Sequence, residues 1–229
     1  MVKYKVLFFD LDHTLWDYDT NSIEVLSEIY HKHVSSDAVG LELFLKNFTK
    51  VNDALWDEYN RGKIEKEVIR KDRFVKILEQ SDVYDLPLAQ HISEFYLFEC
   101  PRRTHLMPDT IEVLTYLKDK YELHILTNGF DDVQEIKLNN AGIKKYFDKV
   151  ITSESIGHKK PSKEFFEYAF SATNSENREA IMIGDNLKTD IAGANNVGMD
   201  SVYFNPSGYA KPHKAKFEIK KLSELMDVL

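Results

Sequence analysis

The chain has 229 residues, of which 43% are hydrophobic, a composition that supports a packed core and argues against an intrinsically disordered chain. Its length suits one large domain or a core with a smaller domain attached. The 30 basic and 38 acidic side chains leave a formal net charge of −8, which argues against nucleic-acid polymers as partners because their binding needs a basic surface.

Neither a signal peptide nor a membrane-spanning segment is expected from the sequence. The N-terminus offers only a short apolar run before Asp10, too little for a signal peptide, and no segment approaches the roughly 20 apolar residues that span a bilayer. Cys100 is the only cysteine, so no disulfide can form within the chain, which fits a reducing compartment. We therefore expect a cytoplasmic protein without a membrane partner, and the sequence leaves the oligomeric state open.

The first predicted element is a short strand that ends in two carboxylates. The apolar run Val6–Phe9 is typical of a buried strand, and Asp10 and Asp12 follow it. Two acids this close repel each other and lose hydration, so a bound cation or a proton-transfer role would relieve the cost. The alternative is an Asx turn in which Asp12 caps the segment that follows.

The next segment, over residues 16–101, contains no clear strand and is predicted to be a helical insert. Asn21 and Glu24 resemble a capping box at the start of its first helix. Apolar side chains repeat every three or four residues along two later helices, at Phe44, Phe48, Val51, Leu55 and Tyr59, and at Leu88, Ile92, Phe95 and Tyr96.

The remainder of the chain alternates between predicted strands and helices. Four apolar runs predict strands, at Leu123–Leu126, Lys149–Ile151, Ala180–Ile183 and Ser201–Phe204. Gly142 and Gly198 follow predicted helices, where a left-handed C-terminal cap is expected. This alternation predicts an α/β fold with a parallel sheet. The basic stretch Lys211–Lys221 near the end is predicted to be a solvated face.

Polar residues that could bind or react with a substrate follow or flank these strands. Thr127 and Asn128 follow the second strand, Asp185 follows the fourth with Asp190 five positions later, and Lys160 precedes the helix that begins near Ser162. Each of these residues alone could be an ordinary turn or cap. Because the carboxyl ends of parallel strands share one edge of a sheet, we expect all of them to converge in one crevice with the two acids of the first strand.

The acids have the chemistry of a phosphoryl-transfer site. Asp10 can act as a carboxylate nucleophile that forms an aspartyl phosphate. Asp10 and Asp185 offer the hard oxygen ligands that Mg²⁺ prefers. Asp12 is placed to protonate a leaving oxygen and later to deprotonate water.

The other candidates could bind the phosphoryl group itself. Thr127 offers a hydroxyl and Asn128 an amide, and both can donate to phosphoryl oxygens. Lys160 would neutralise charge as a point cation, and Pro161 biases it toward an extended backbone just outside the helix.

At this point the residues resemble the haloacid dehalogenase superfamily of phosphotransferases, over essentially the whole chain. Its four motifs match in order, at Asp10–Thr14, Thr127-Asn128, Lys160-Pro161 and Gly184–Asp190. The resemblance implies a Rossmann-like parallel-sheet core, made of residues 1–15 and 102–229, with an inserted α-helical cap domain over residues 16–101.

The resemblance also implies a mechanism and a cofactor. It implies Mg²⁺ and a two-step transfer through phospho-Asp10. In the family, the metal takes the Asp10 carboxylate, the main-chain carbonyl of Asp12 and the Asp185 carboxylate, while Asp190 supports the site through water or hydrogen bonds. The dehalogenases of the superfamily lack the second acid of the first motif and need no metal, so Asp12 argues against dehalogenation.

The insert resembles the pyrimidine 5′-nucleotidase subgroup, which hydrolyses nucleoside monophosphates, including noncanonical ones. The residues that carry this resemblance are Asn52–Ile64 and the continuation of the first motif as Leu15–Tyr18. It implies a small phosphate ester as partner, foremost a pyrimidine nucleoside 5′-monophosphate.

We expect the insert to close over the site and to recognise the substrate, because the residues of the four motifs would contact only the phosphoryl group. Trp56 and Tyr59 could stack on a base or could simply pack the insert. Asn52 and Arg73 could bond the edge of the base.

Three alternatives stay open. The enzyme could hydrolyse another small phosphate ester, such as a sugar phosphate or phosphoglycolate. A phosphosugar mutase with the same core would need phospho-Asp10 to survive long enough to return its group to sugar. A non-catalytic binding module on a retained fold would be favoured by loss of Asp10 or Asp185, and both are present.

Overall fold

Six parallel strands form a single sheet in the computed structural model, which describes residues 4–34 and 40–229. The strands are β1 (Val6–Phe9), β2 (Glu122–Thr127), β3 (Lys149–Thr152), β4 (Ala180–Gly184), β5 (Asp200–Phe204) and β6 (Phe217–Ile219). Across the sheet they lie in the order β3-β2-β1-β4-β5-β6. The central strands β1 and β4 are buried along their whole length, as expected for strands covered on both faces.

The predicted α/β fold is confirmed, but the basic stretch near the end of the chain differs from its prediction. The five predicted strands match β1 to β5 to within one residue at each end. The prediction of a solvated face over Lys211–Lys221 is wrong where β6 forms, since β6 pairs with β5 and Ile219 is buried. An edge strand this short has only Phe217 and Ile219 as apolar positions, too few for a periodic pattern.

Helices make up the rest of the regular structure. Within the described residues they are α1 (Tyr18–Ile29), α2 (Leu41–Asn60), α3 (Lys66–Glu79), α4 (Leu86–Glu99), α5 (Thr110–Lys118), α6 (Asp131–Asn140), α7 (Ser153–Ile156), α8 (Lys163–Thr173), α9 (Ala192–Asn196) and α10 (Leu225–Val228). Shorter π or 3₁₀ turns lie at Tyr30–Val34, Cys100–Arg102, Lys144–Tyr146, Asn177–Glu179, Leu187–Ile191 and Leu222–Glu224. None of the helices in these two ranges has both the length and the apolar character that crossing a bilayer requires.

The chain divides into two compact units. We name them the α/β unit, which is Met1–Tyr18 with Thr104–Leu229, and the helical unit, which is Asp19–Arg103. The sheet therefore lies entirely in the α/β unit, and α2, α3 and α4 lie in the helical unit.

The start of α1 differs from the prediction. The helix begins at Tyr18, so Asn21 and Glu24 lie inside it and do not form a capping box at its start. Just before the helix, the N–H of Asp17 donates to the carbonyl of His105 at 3.1 Å, a contact with a distant segment that a local capping pattern does not reveal.

The helical unit has its own aromatic core. The predicted apolar face of α2 is buried, at Phe44, Phe48, Val51, Leu55 and Tyr59. The rings of Phe48, Phe74 and Tyr96 pack against one another at centroid distances of 5.4 to 6.0 Å. These contacts join α2, α3 and α4.

Asn52 and Arg73 belong to this core, which changes the role expected of them. Arg73 Nη1 donates to Asn52 Oδ1 at 3.2 Å, and the guanidinium lies 4.5 Å from the ring centroid of Tyr96. Arg73 is only 4% exposed. A buried cation stacked on aromatic rings stabilises the helical unit. The burial of both side chains therefore does not support the predicted contact with the edge of a nucleobase.

The predicted helix ends in the α/β unit are observed. Ser162 is the N-cap of α8 and accepts a hydrogen bond from the N–H of Phe165 at 3.4 Å. Gly142 and Gly198 follow α6 and α9 with φ of +69° and +67°, the left-handed conformation that ends a helix. The N-cap at Ser162 holds the start of α8 next to the loop that carries Lys160.

Candidate active site

The order of the strands brings the predicted site residues to one edge of the sheet. Because β1 lies between β2 and β4, the residues at the ends of these three strands are neighbours. Asp10 follows β1, Thr127 ends β2 and Asp185 follows β4. Lys160 reaches this edge from the loop before α8, and Asp190 from the turn Leu187–Ile191.

Lys160 is the centre of one buried network at this edge. Its ammonium donates to Asp10 Oδ1 at 2.7 Å, to Asp190 Oδ1 at 2.7 Å and to the carbonyl of Leu126 at 2.8 Å. These bonds use all three ammonium protons of a side chain that is 2% exposed. Burial lowers the pKa of Lys160, but the charges of Asp10 and Asp190 outweigh it and hold that pKa above its usual range. Lys160 is therefore a permanent cation.

Asn128 holds the loop that carries Lys160. Its Nδ2 donates to the carbonyl of Lys160 at 3.0 Å, and its Oδ1 accepts from the N–H of Lys160 at 2.8 Å. The amide thus bonds both the N–H and the carbonyl of Lys160, and direct contact of Asn128 with a phosphoryl group stays a prediction.

Three carboxylates surround this lysine. Ligand oxygens of Asp10, Asp185 and Asp190 all lie within 4.8 Å of one another. Burial raises the pKa of Asp10, and the charge of Asp190 adds to this, against the opposing charge of Lys160. Burial and the charges of Asp10 and Asp190 likewise raise the pKa of Asp185.

The charge of this cluster fits a divalent cation. When all three carboxyl groups are ionised, they outnumber the one ammonium by two negative charges, and the raised pKa values of Asp10 and Asp185 show that this charge is unfavourable without a further cation. Hard oxygen donors with excess negative charge are the ligand set that Mg²⁺ prefers. We therefore regard the residues present as suited to Mg²⁺.

Neighbouring residues fix the acids of this cluster. A Cβ at Gly184 would lie 2.3 Å from Asp190 Oδ2, so only glycine leaves room for that carboxylate at the end of β4. The N–H of Asn186 donates to the same Asp190 oxygen at 3.0 Å. Thr14 Oγ1 donates to Asp185 Oδ1 at 3.3 Å.

Thr127 belongs to a second network. Its hydroxyl oxygen accepts from the N–H of Gly129 at 3.0 Å and from Gln134 Nε2 at 2.8 Å. A hydroxyl has two lone pairs and one proton, so these bonds leave the proton to be donated. The geometry suits donation to an anion, the role expected of Thr127 from the sequence.

Asp12 lies in the same second network. Its Oδ1 accepts from Lys137 Nζ at 2.5 Å and its Oδ2 accepts from Gln134 Nε2 at 2.9 Å. Burial raises the pKa of Asp12, but the Lys137 charge and the two hydrogen bonds outweigh it and hold that pKa below its usual range. The group is therefore a carboxylate in the free protein.

Sequence reasoning missed Gln134 and Lys137. Both lie on α6, three residues apart, and both are buried. The sequence gives little indication that these two residues are functional, because polar residues at this spacing usually mark the solvent side of a helix. The feature that could have identified them is their place, one and two turns into the first helix after Thr127-Asn128-Gly129.

Comparisons with known proteins agree on one family. A family model described as "Hydrolase: haloacid dehalogenase-like hydrolase" matches residues 4–198. The chain is 29% identical to the pyrimidine 5′-nucleotidase PynA of Streptococcus pneumoniae, over 99% of this chain and 95% of that protein. It is 31% identical to the glyceraldehyde 3-phosphate phosphatase of Pyrococcus furiosus, over 100% of this chain and 94% of that protein.

One solved structure matches the chain over nearly its full length. The HAD-hydrolase YfnB from Bacillus subtilis, crystallised bound to magnesium, matches with a TM-score of 0.89 at 25% identity. The match covers 99% of this chain and 98% of that chain.

Proposed function

The chain belongs to the haloacid dehalogenase-like hydrolases. We propose that it is a Mg²⁺-dependent phosphomonoesterase that works through an aspartyl phosphate on Asp10. The observation that carries the proposal is the Asp10 carboxylate, bonded to Lys160 at a strand end beside two further acids. A carboxylate in such a setting can act as a covalent nucleophile toward phosphorus.

The reaction would proceed in two displacements. In the first, an oxygen of Asp10 bonds to phosphorus, the bond to the leaving oxygen breaks, and Asp12 gives that oxygen a proton. In the second, water attacks the phosphorus of the aspartyl phosphate, Asp12 takes a proton from the water, and Asp10 is released with inorganic phosphate. The Thr127 hydroxyl and the Lys160 ammonium would stabilise charge on the phosphoryl oxygens throughout.

The metal-binding residues would be Asp10, Asp185 and the main-chain carbonyl of Asp12, with Asp190 supporting them through hydrogen bonds. Bound there, Mg²⁺ would neutralise phosphoryl charge and orient the group for in-line attack. The unbalanced negative charge of the three acids supports this assignment.

Asp12 must carry a proton in the first step and accept one in the second. The low pKa of its carboxyl group, which the Lys137 charge and the Gln134 hydrogen bond maintain against burial, favours the base of the second step. A phosphate dianion beside it would raise that pKa by repulsion between like charges, which favours the acid of the first step.

For the substrate we propose nucleoside 5′-monophosphates, pyrimidine ones foremost. Similarity to PynA, a pyrimidine 5′-nucleotidase, over nearly the whole of both chains supports this choice. The α/β unit would handle the phosphoryl group, and the helical unit would recognise the rest of the substrate. Trp56 on α2 is the candidate for stacking on a base, since it is only partly buried and meets the Tyr59 ring edge-on at 5.5 Å.

A phosphate-release screen with Mg²⁺ tests the proposal. The panel would contain pyrimidine and purine nucleoside monophosphates, triose and hexose phosphates, phosphoglycolate and p-nitrophenyl phosphate. We expect UMP, dUMP or dTMP to have the highest kcat/KM. A tenfold preference for a small sugar phosphate, about 1.4 kcal/mol in the transition state, would reject the nucleotidase proposal and leave the phosphatase proposal intact.

A second candidate is a phosphatase for small phosphorylated sugars. Its support is the 31% identity to a glyceraldehyde 3-phosphate phosphatase over nearly the whole length of both chains. Glyceraldehyde 3-phosphate in the same screen decides between the two. Product analysis with a hexose 1-phosphate separates either hydrolase from a mutase, which would form the hexose 6-phosphate.

A further inference from the structure

One amide on α6 joins the two groups that would donate protons and hydrogen bonds to the substrate. Gln134 Nε2 donates to Asp12 Oδ2 at 2.9 Å and to Thr127 Oγ1 at 2.8 Å. Each bond uses one of the two amide protons, and Gln134 is 0% exposed. A single rigid group therefore sets the distance between the Asp12 carboxylate and the Thr127 hydroxyl.

Lys137, one turn further along α6, holds the other oxygen of Asp12. Its Nζ lies 2.5 Å from Asp12 Oδ1 and 4.4 Å from the ring centroid of Trp16. Lys137 is 5% exposed, so its ammonium is enclosed between a carboxylate and an aromatic face. With Gln134 on one oxygen and Lys137 on the other, the Asp12 side chain has one defined orientation.

Gly129 makes room for this arrangement. A Cβ at this position would lie 2.1 Å from Gln134 Nε2 and 2.5 Å from the amide carbon. Any other residue would push the amide away from Asp12 and Thr127. The glycine that follows Thr127-Asn128 is thus explained by a side chain five residues later.

We propose that Gln134 and Lys137 are positioning residues for the phosphoryl transfer. They orient the Asp12 carboxylate toward the leaving oxygen, and Gln134 also orients the Thr127 hydroxyl toward the phosphoryl group. This inference rests on the proposed function. A purely structural role, in which the two side chains only attach α6 to the sheet, makes different predictions for kinetics.

The leaving group separates the two roles. Lys137→Met removes the ammonium but keeps the length of the chain, and Asp12 loses its fixed orientation. We compare kcat/KM, which reports the steps up to departure of the leaving group and excludes hydrolysis of the aspartyl phosphate, a step common to all substrates. For a nucleoside monophosphate, which has an alkyl leaving group, we expect kcat/KM to fall about tenfold to a hundredfold, a share of the 10²–10⁴-fold that acid catalysis supplies. For p-nitrophenyl phosphate, whose leaving group needs little protonation, we expect less than a threefold loss, about 0.65 kcal/mol. Equal losses for both substrates would overturn the inference.

The matched control is Glu135→Gln, on the same helix. Glu135 is exposed and pairs with Lys144 at 2.7 Å, away from Asp12. We expect its kinetics to equal those of the wild type. If neither the wild type nor this control hydrolysed any phosphate ester, the proposed function itself would be rejected. If both were active and Lys137→Met lost equal activity toward the two substrates, only the positioning role would be rejected.

A double-mutant cycle tests independently whether Lys137 acts through Asp12. If Lys137 acts through Asp12, then Lys137→Met should cost less than twofold when Asp12 is already Asn, because the group it positions no longer transfers a proton. The full single-mutant loss in that background would mean that Lys137 acts elsewhere and would overturn the inference.

Gln134→Met and Gly129→Ala extend the test to the amide and serve if Lys137→Met does not fold. The first removes the amide, and the second leaves it in the chain but displaces it. Both should lower kcat for the nucleotide and raise KM, because Thr127 is released together with Asp12. Wild-type kinetics for a folded Gly129→Ala would contradict the inference.

Discussion

Two buried lysines serve the candidate site, and their surroundings differ in charge balance. Lys160 meets Asp10 and Asp190, with Asp185 close by, so acids outnumber cations in its cluster. Lys137 meets one carboxylate, Asp12, and an aromatic face. The first cluster has fewer cations than acids and is suited to an added cation, while the second pairs one cation with one acid. We therefore infer that the first cluster binds a cation and that the second positions Asp12.

The largest effect should come from Asp10 in the unbalanced cluster. Asp10→Asn keeps the shape of the side chain but loses the nucleophile and one negative charge. We expect no measurable turnover of any phosphate ester and an unchanged fold by circular dichroism. Substantial hydrolysis by the purified, folded variant would rule out Asp10 as the nucleophile.

Removal of divalent cations tests the charge imbalance directly. We expect EDTA to abolish activity, Mg²⁺ to restore it and Ca²⁺ to restore little, because Ca²⁺ takes more ligands in looser geometry. Mg²⁺ at a hundred times its Kd should also raise the free energy of unfolding by about 2.7 kcal/mol, measured as a shift in Tm.

The matched variants for this measurement are Asp185→Asn and Glu135→Gln. The first should reduce the Mg²⁺-dependent Tm shift, and the second should leave it unchanged. Full activity in metal-free protein would contradict the assignment of the cluster to Mg²⁺.

The balanced cluster should show its role through proton transfer. Asp12→Asn leaves the main-chain carbonyl in place, so we expect the Mg²⁺-dependent Tm shift to persist. Because kcat/KM excludes hydrolysis of the common aspartyl phosphate, it should fall about 10²–10⁴-fold for nucleoside monophosphates and less for p-nitrophenyl phosphate. Equal losses for the two substrates would count against Asp12 as the general acid.

A third buried titratable group is His124 on β2, whose ring packs against that of Phe8 at a centroid distance of 5.8 Å. Its ring nitrogens have no hydrogen-bond partner among residues 4–34 and 40–229, and a carboxylate oxygen of Glu122 lies 3.8 Å from Nε2. Burial lowers the pKa of His124 to about 4, against the charge of Asp148 and helped by that of Lys149. Since the folded pKa lies below the unfolded one, stability is full above about pH 6.5 and falls as the pH drops toward 4.

Replacing His124 should remove this dependence. We expect His124→Phe to gain about 1–2 kcal/mol of unfolding free energy relative to the wild type between pH 7 and pH 5, measured by urea titration. The kinetics at pH 7 should not change. A stability difference that is the same at both pH values would show that His124 does not titrate in this range.

The smallest effect should come from the helical unit, which contains neither cluster. Trp56→Ala should raise KM for nucleotides several-fold, with little change in kcat, if the indole stacks on the base. A lower Tm with unchanged KM would instead mean that Trp56 only packs against its neighbours. p-Nitrophenyl phosphate is the control substrate, because it carries no nucleobase.

The sequence was sufficient for features that depend on neighbours along the chain. The strand β1 is a continuous apolar run, and Asp10 is recognisable because it follows that run directly. Thr127 and Asp185 are recognisable in the same way, since the end of a parallel strand is both a local signal and a fixed place in the sheet. The α/β fold follows from the same alternation of strands and helices.

Other features depend on partners distant in the chain, and local patterns did not reveal them. Arg73 looks like a residue for ligand binding until Asn52 and the surrounding rings enclose it. β6 exists because β5 offers it an edge to pair with. Gln134 and Lys137 lie on a helix where polar residues usually face water, and they are functional candidates only because Asp12, more than a hundred residues earlier, meets them. Periodicity encodes which residues are apolar, whereas the partner of a buried polar group is set by packing between distant segments.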